Sequence, residues 1–257
     1  MSKYCRDLRV NSVRKLSDKH VLLKLTHDNP LPQMCPGQFV EVRVDNSPNT
    51  FLRRPISVND VDVSKNELWL LVAAVGEGTR RLCQLQEGDS LNCLFPLGNC
   101  FTSAEQLRNK RVLLIGGGVG VAPLLYQGRK LAELGNKPSF LLGARSEKDL
   151  LELEYFEKLG SVYITTEVFS KGEKGFVTDH SILRDAYFDF IQTCGPKPMM
   201  MSVARYAMAH HIECEASLEN LMACGLGACL CCVEKTVSGN RCVCTDGPVF
   251  NIERLLW

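Results

Sequence analysis

Between Asp7 and Pro96 the apolar residues fall in short runs, LRVNSVRKL, HVLLKLTH, GQFVEVRV, PISVND, ELWLLVAAV and SLNCLF, separated by turn residues. Several of these runs alternate apolar with polar positions. Strand side chains point to opposite faces in turn, so this period predicts half-buried strands closing into an antiparallel barrel or sandwich. After residue 104 the pattern changes. Arg111 to Ile115 is a continuous apolar run of the kind found in a buried parallel strand, and a glycine-rich loop and a helical stretch to Leu134 follow it. The chain then reads PSFLLGA, EKDLLELEYFEKL, SVYITTEV, a short helix near 178–184, DFIQTC and a helix from Pro198 to His210. Alternating strands and helices predict a parallel sheet. The expectation is an α+β chain of three parts: a β-barrel over 1–103, an α/β nucleotide domain over 104–215 and a small cysteine-rich module over 216–257.

The chain has 257 residues, of which 45% are hydrophobic, enough for two domains or for one with smaller modules. Its 30 basic and 29 acidic residues nearly cancel, so no broad charged surface points to nucleic acid or to an anionic membrane. Thirteen cysteines would suggest disulfides in a small secreted protein, yet MSKYCRDLRV carries no apolar signal region, and a reducing cytoplasm is the expected setting. The longest apolar run, Val112 to Leu125, is broken by four glycines and is too short for a bilayer, so no direct membrane span is expected. Cys5, Cys35, Cys83, Cys93, Cys100, Cys194 and Cys214 are scattered, and each is expected to act as a small buried hydrophobe.

The remaining cysteines are grouped. Cys224, Cys229 and Cys232 follow the C-x4-C-x2-C spacing of a 2Fe-2S cluster loop, and Gly225, Gly227 and Ala228 let the backbone curl closely around such a cluster. Cys244 is taken as the fourth ligand because the turn Asp246-Gly247-Pro248 follows it, but Cys242 stands two residues away and Cys231 adjoins Cys232. A zinc knuckle is the competing structure. It ordinarily shows two separated C-x2-C pairs, which this stretch lacks.

Two stretches of the barrel region suit phosphate. Arg53-Arg54-Pro55-Ile56-Ser57 puts guanidinium groups at the start of a strand, and Gly76-Glu77-Gly78-Thr79 leads into a short helix whose first amides are free. An isolated Arg-Arg pair would be read as a solvated strand end; two such features together suggest a dinucleotide. In the sheet region the strand, glycine loop and helix formed by Gly116, Gly117, Gly118, Gly120 and Pro123 suit a second pyrophosphate, although a plain tight turn has the same composition. Cys194-Gly195-Pro196 ends a buried strand at the crevice where open sheets bind ligands. Five scattered histidines suggest no catalytic triad, and His210 and His211 are placed to cap a helix.

RRPIS followed by GEGT resembles the flavin domain of the ferredoxin reductase superfamily. The resemblance implies FAD, with Arg54 on its diphosphate, Pro55, Ile56 and Ser57 along the flavin with Ser57 at its N5 edge, Leu71, Val72 and Ala73 on a flanking strand, and Gly78 and Thr79 at the diphosphate. It also implies a nicotinamide cofactor with its diphosphate at Gly116, Gly117, Gly118, Gly120 and Pro123, and its ring bordered by Cys194, Gly195 and Pro196. Arg145 follows the second strand, where relatives read the adenosine ribose.

Over its whole length the chain resembles the electron transfer subunits of class 1B dihydroorotate dehydrogenases, through LRRPIS, VGEGT, GGGVGVAPL, CGPKPMM, ASLENLMACGLGACLCCV and VCTDGPVF. That resemblance implies NAD as co-substrate and an oxidoreductase of pyrimidine biosynthesis with no acid, base or nucleophile of its own. It further implies an FMN-containing catalytic subunit as partner in a heterotetramer of two and two. A flavin takes two electrons as hydride and gives them up singly, which is what a link between nicotinamide and a one-electron cluster requires. Flavin and cluster subunits of ferredoxin-dependent transhydrogenases and sulfhydrogenases share this module order, and a redox-sensing regulator is a further alternative. Leu226 and Leu230 are expected on the docking face.

Overall fold

The computed structural model describes residues 2–257; Met1, with which the amino-terminal part begins, lies outside the described residues. Six strands, β1 (Tyr4–Lys15), β2 (His20–Thr26), β3 (Phe39–Val42), β4 (Arg54–Asp62), β5 (Glu67–Ala73) and β6 (Ser90–Leu97), close into a barrel in the order β1-β2-β5-β4-β3-β6. They correspond one for one to the six apolar runs. Alternation is visible in β1, where Leu8 and Val10 are buried between exposed neighbours. Across β2 and β5, Leu23 faces Leu70 and Leu25 faces Leu68, and all four are buried. Burying each such side chain contributes roughly 1.5–3 kcal/mol. Closure leaves no open sheet edge, and the helix α1 (Glu77–Leu82) bridges β5 to β6.

The second unit is a seven-stranded sheet. Strands β7 (Val112–Gly117), β8 (Ser139–Ala144), β9 (Ser161–Thr166) and β10 (Glu173–Lys174) run outward in one direction. The chain then returns to lay β11 (Phe190–Cys194) and β12 (Glu213–Ser217) on the other side of β7. All these neighbours are parallel. The reversal of strand order at β7 and β11 opens a crevice beyond their carboxyl ends. Helices α2 (Ala122–Glu133), α3 (Leu153–Phe156), α4 (Ile182–Asp185) and α5 (Lys197–Ala209) make the connections. His210 caps α5 through the Tyr206 carbonyl at 2.9 Å, and His211 takes the left-handed conformation that ends the helix.

The carboxyl-terminal segment adds the hairpin β13 (Val233–Thr236) and β14 (Gly239–Cys242), the turn of helix α6 (Val243–Asp246), and β15 (Val249–Asn251). β15 pairs antiparallel with β12, so the cysteine-rich segment is built onto the edge of the sheet, and the division expected at 215/216 falls inside β12.

Barrel and sheet are fastened together by polar contacts. Arg129 on α2 grips Asp60 of β4 with bonds of 2.7–3.0 Å, the Tyr126 hydroxyl donates to the Met34 carbonyl at 2.9 Å, and the Asn59 amide donates to Glu152 at 3.2 Å. One expectation about the scattered cysteines is corrected here. Cys93, Cys194 and Cys214 are buried, but Cys5 is exposed beside Arg53, and Cys35 is joined to Cys100 as a disulfide because the β2–β3 loop crosses the segment leaving the barrel. Among the described residues no helix is long and apolar enough to cross a membrane.

Candidate functional site

A cavity of about 630 Å³ opens between barrel and sheet, and Arg54, Pro55, Ile56, Ser57, Leu71, Ala73 and Thr79 line it. Strand geometry explains the set. Arg54 to Ser57 begin β4 and pair antiparallel with the whole of β3, from Val42 back to Phe39, whereas Leu71 and Ala73 are alternate residues of β5. Val72, between them, points into the barrel core and is 1% exposed. It therefore offers backbone alone, as its place on the strand requires.

The two adjacent arginines have separate tasks. Arg53 spends its guanidinium on the barrel, donating to the Glu41 and Asn92 carbonyls at 3.1 Å each and to the Asn92 side chain. Arg54 is held by the Leu52 and Arg53 carbonyls at 2.7 and 3.1 Å and borders the cavity. Gly78 makes room for it: a Cβ there would stand 3.1 Å from the Arg54 Nε and 2.9 Å from the Thr50 methyl. The Thr79 hydroxyl accepts the Val75 and Gly76 amides at 3.0 Å each, so it shapes the loop before α1.

Sheet residues form the opposite wall. Val119 of the β7–α2 loop, Ala122 at the start of α2, and residues 217–222 at and beyond the end of β12 complete this cavity together with Cys231 and Pro248. On its other side the same β7–α2 loop borders a second cavity of about 500 Å³, lined by Gly117, Gly118, Pro196, Met199, Gly143, Arg145, Thr165 and Glu167. The loop is thus a thin partition between two ligand-sized spaces. Its other glycines serve packing. A Cβ on Gly120 would collide with the Gly195 backbone, and one on Gly116 would meet Val121 and Leu124 at 2.9 and 3.0 Å. Pro123 lies buried in the first turn of α2. Gly116, Gly120, Pro123, Cys194 and Gly195 therefore support the crevice without lining either cavity.

Cys194 is fully buried. Its thiol lies 3.8 Å from Glu219 Oε1, and burial pushes its pKa well above the ordinary thiol value, so it packs and does not serve as a nucleophile. Burial also raises Glu219, which borders the first cavity. Sequence reasoning left Glu219 and its neighbours out of the site because no local spacing marks them; they are brought in by β12 ending at the crevice. His20 and Glu167 in the second cavity were likewise missed, being single polar residues in ordinary strand sequence.

Beside the first cavity the grouped cysteines converge. Cys229 lies beside Cys224, and Cys232 lies beside both Cys244 and Cys242. Backbone amides point at the sulfurs: Leu226 to Cys224 at 3.3 Å, Gly227 to Cys244 at 3.2 Å and Cys244 to Cys232 at 3.4 Å. The Leu226 amide is the main cause that lowers the Cys224 thiol to about 6, while burial and the neighbouring Cys232 raise Cys244 to about 12. Gly225 and Gly227 hold left-handed φ values of 68° and 80°, which turn these amides inward. A Cβ on Gly225 would stand 2.8 Å from the buried Glu41 side chain and 3.0 Å from Leu97. Cys231 faces the first cavity, and Cys242 lies in hydrogen-bond contact with Cys232. Among the described residues no group of three or more His, Cys, Asp or Glu side chains could hold a single metal ion, whereas a 2Fe-2S cluster would ask only for four thiolates spread over two irons, which Cys224, Cys229, Cys232 and Cys244 would supply with the inward amides at their sulfurs. Asn220 and Lys197 both bond Glu234 at 3.0 Å, pinning the hairpin to the sheet.

Comparison with known proteins agrees with this arrangement. Residues 219–256 match the model of the iron-sulfur cluster binding domain of dihydroorotate dehydrogenase B. The NADH-dependent reduced ferredoxin-NADP oxidoreductase, a flavin-based electron-bifurcating enzyme, superposes with a TM-score of 0.87 at 29% identity, covering 97% of this chain and 90% of that one. An Amycolatopsis cytochrome P450 reductase shares the fold alone, with a TM-score of 0.68 at 22% identity over 82% of this chain and 68% of its own. The dihydroorotate dehydrogenase B (NAD(+)) electron transfer subunit of Shouchella clausii is 42% identical over 84% of this chain and 85% of its own. That of Caldanaerobacter subterraneus subsp. tengcongensis is 44% identical over 97% of both chains. The barrel, the parallel sheet, the paired thiols and this extent of identity together show that the chain belongs to the family of dihydroorotate dehydrogenase B electron transfer subunits.

Proposed function

We propose that this chain carries electrons from a separate dihydroorotate-oxidising, FMN-containing catalytic subunit to NAD+, in a heterotetramer of two catalytic and two electron transfer subunits. The observation that carries the reading is that the cysteine loop and the Arg54–Ser57 strand border one cavity, through Cys231, Met222 and Pro248 on one wall and Arg54 to Ser57 on the other. A flavin bound there exchanges electrons in pairs with nicotinamide and singly with a cluster.

Arg54 neutralises the FAD diphosphate, and Pro55, Ile56, Ser57, Leu71, Val72 and Ala73 lie along the flavin, Val72 through its backbone. Gly78 clears the space for Arg54, and Thr79 holds the loop that turns helix amides toward phosphate. NAD occupies the second cavity. Gly117, Gly118 and Pro196 border its nucleotide part there, and Gly116, Gly120, Pro123, Cys194 and Gly195 set the position of the β7–α2 loop, past whose edge the nicotinamide reaches the flavin as hydride transfer requires. Cys224, Cys229, Cys232 and Cys244 hold the 2Fe-2S cluster; Cys244 is chosen over Cys242 because its sulfur receives the Gly227 amide. Residues 1–103, 104–215 and 216–257 accordingly divide the work into flavin, nicotinamide and cluster parts. Leu221, Leu226 and Leu230, exposed by 85%, 47% and 64%, surround the cluster loop and form the docking face for the catalytic subunit.

The test is to express this chain alone and with the catalytic subunit from the same source, then assay dihydroorotate-dependent reduction of NAD+. Turnover that requires both chains supports the reading. A chain that carries FAD and cluster but never couples to dihydroorotate would transfer the proposal to a ferredoxin-linked partner.

A further inference from the structure

Cys35 and Cys100 belong to neither cavity nor to the cluster loop, yet the fold brings them together across 65 residues with their Cα atoms 5.8 Å apart, within the range a disulfide spans. Both are partly exposed, so a small solute reaches them.

Their surroundings are the junction of all three parts of the molecule. One residue before Cys35, the Met34 carbonyl receives the Tyr126 hydroxyl of α2 at 2.9 Å, and one residue after it the Pro36 carbonyl receives the Phe101 amide at 2.9 Å. The Cys35 amide donates to the Gln38 side chain at 2.9 Å, which in turn donates to the Gly98 carbonyl at 3.1 Å. Next to Cys100, Asn99 holds the turn that follows the cluster segment. Its side chain donates to the Asp246 and Val249 carbonyls at 3.0 and 2.9 Å and accepts the Val249 amide at 3.0 Å. A bond between the two sulfurs therefore ties the β2–β3 loop of the barrel to the linker that carries the cluster-side turn.

We propose that Cys35 and Cys100 form a reversible oxidation site that exchanges with low-molecular-weight thiols and disulfides, and that the oxidised form staples the barrel to this linker. One thiolate attacks a sulfur of the small disulfide, whose S–S bond breaks as the first small thiolate leaves. The second thiolate attacks the resulting mixed disulfide at the protein sulfur and expels the second small thiolate. Two protein thiols lose two electrons and two protons, and the small disulfide takes up both to become two thiols. An excess of the small thiol drives the same steps in reverse. Because the cross-link closes a long loop, its main effect falls on the freedom of the unfolded chain.

The experiment uses the full chain with FAD and cluster, purified without oxygen and equilibrated in mixtures of glutathione and glutathione disulfide. Samples are quenched with an alkylating reagent and their peptides mapped, while visible absorbance confirms that the cluster is retained. The expected result is a Cys35–Cys100 linked peptide that rises and falls with the redox poise along a two-electron curve. In the oxidised form Tm should stand roughly 5–10 °C above the reduced form, a difference that a Cys35→Ser, Cys100→Ser double variant lacks. Alkylation of both cysteines at every poise, or their capture only as mixed disulfides with glutathione, would overturn the site. Equal Tm in the two forms of the native sequence would overturn the staple. Peptide mapping and the Tm comparison use the native sequence, so both are read even where the double variant fails to accumulate.

Discussion

The barrel–sheet junction and the cluster loop lie on neighbouring walls of one cavity and are held in opposite ways. At the junction, side chains do the fastening: Arg129 grips Asp60, Tyr126 reaches Met34, and Asn59 meets Glu152. In the loop, backbone amides donate to sulfur, residues 219–232 contain no helix or strand, and three leucines stand in solvent. The loop is shaped for a cluster, with glycines at left-handed φ doing what side chains do elsewhere.

Three substitutions sharpen this contrast. The largest effect is expected from Gly225→Ala, which forces a Cβ against Glu41 and Leu97 and a left-handed conformation on alanine. Iron and sulfide content should fall at least about tenfold while FAD content stays within about twofold, since the backbone strain of ~1–2 kcal/mol falls on the loop and the new Cβ meets the rigid barrel strands at Glu41 and Leu97, so the loop is what must shift. Full iron content in this variant would show that the loop tolerates what the geometry forbids. Next, Arg54→Ala should weaken FAD binding about tenfold and leave the cluster spectrum unchanged, because a charge-assisted hydrogen bond contributes ~1.5–3 kcal/mol. A flavin titration of the apoprotein reads this directly. Unchanged FAD affinity would remove Arg54 from the site.

The last substitution concerns the junction. Burial, reinforced by Glu154 and Asp60, raises Glu152 to about 8. A carboxyl raised in the folded state keeps its proton where the unfolded chain has lost its own, so stability falls as pH climbs from the ordinary carboxylate range, about 4, to the folded value. Glu152→Gln keeps an acceptor for Asn59 and removes this dependence. The variant should equal the parent near pH 5 and exceed it by about 1–4 kcal/mol near pH 8.5 in denaturant melts. Parallel pH profiles would show that Glu152 does not titrate in the folded chain.

The fold was more legible in sequence than the site, for a physical reason. Strand alternation is local, so LRVNSVRKL or ELWLLVAAV announces its own conformation, and all six barrel strands lie where the pattern puts them. Spacing of cysteines is local too, and Cys224 lies beside Cys229 as Cys232 lies beside Cys244, with Cys242 also next to Cys232. Contacts made across the chain leave no such trace. Nothing near Arg53 reveals that Asn92 and Glu41 occupy it, and nothing near Glu219 reveals that β12 carries it to the cavity. The pairing of Cys35 with Cys100 is of the same kind, since scattered cysteines give no spacing from which to infer a partner.

The central claim is that electrons travel between the catalytic partner and the flavin site by way of the cluster that Cys224, Cys229, Cys232 and Cys244 would hold. Cys232→Ser tests it most directly when two reactions are measured on the same preparation: reduction of bound FAD by NADH, and dihydroorotate-dependent reduction of NAD+ with the catalytic subunit present. The account predicts that the first stays within about twofold of the parent chain and the second falls by at least about a hundredfold, the scale on which loss of an obligatory carrier exceeds any change in binding. Normal coupling to dihydroorotate in the variant, or equal loss of both reactions with FAD still bound, would contradict it.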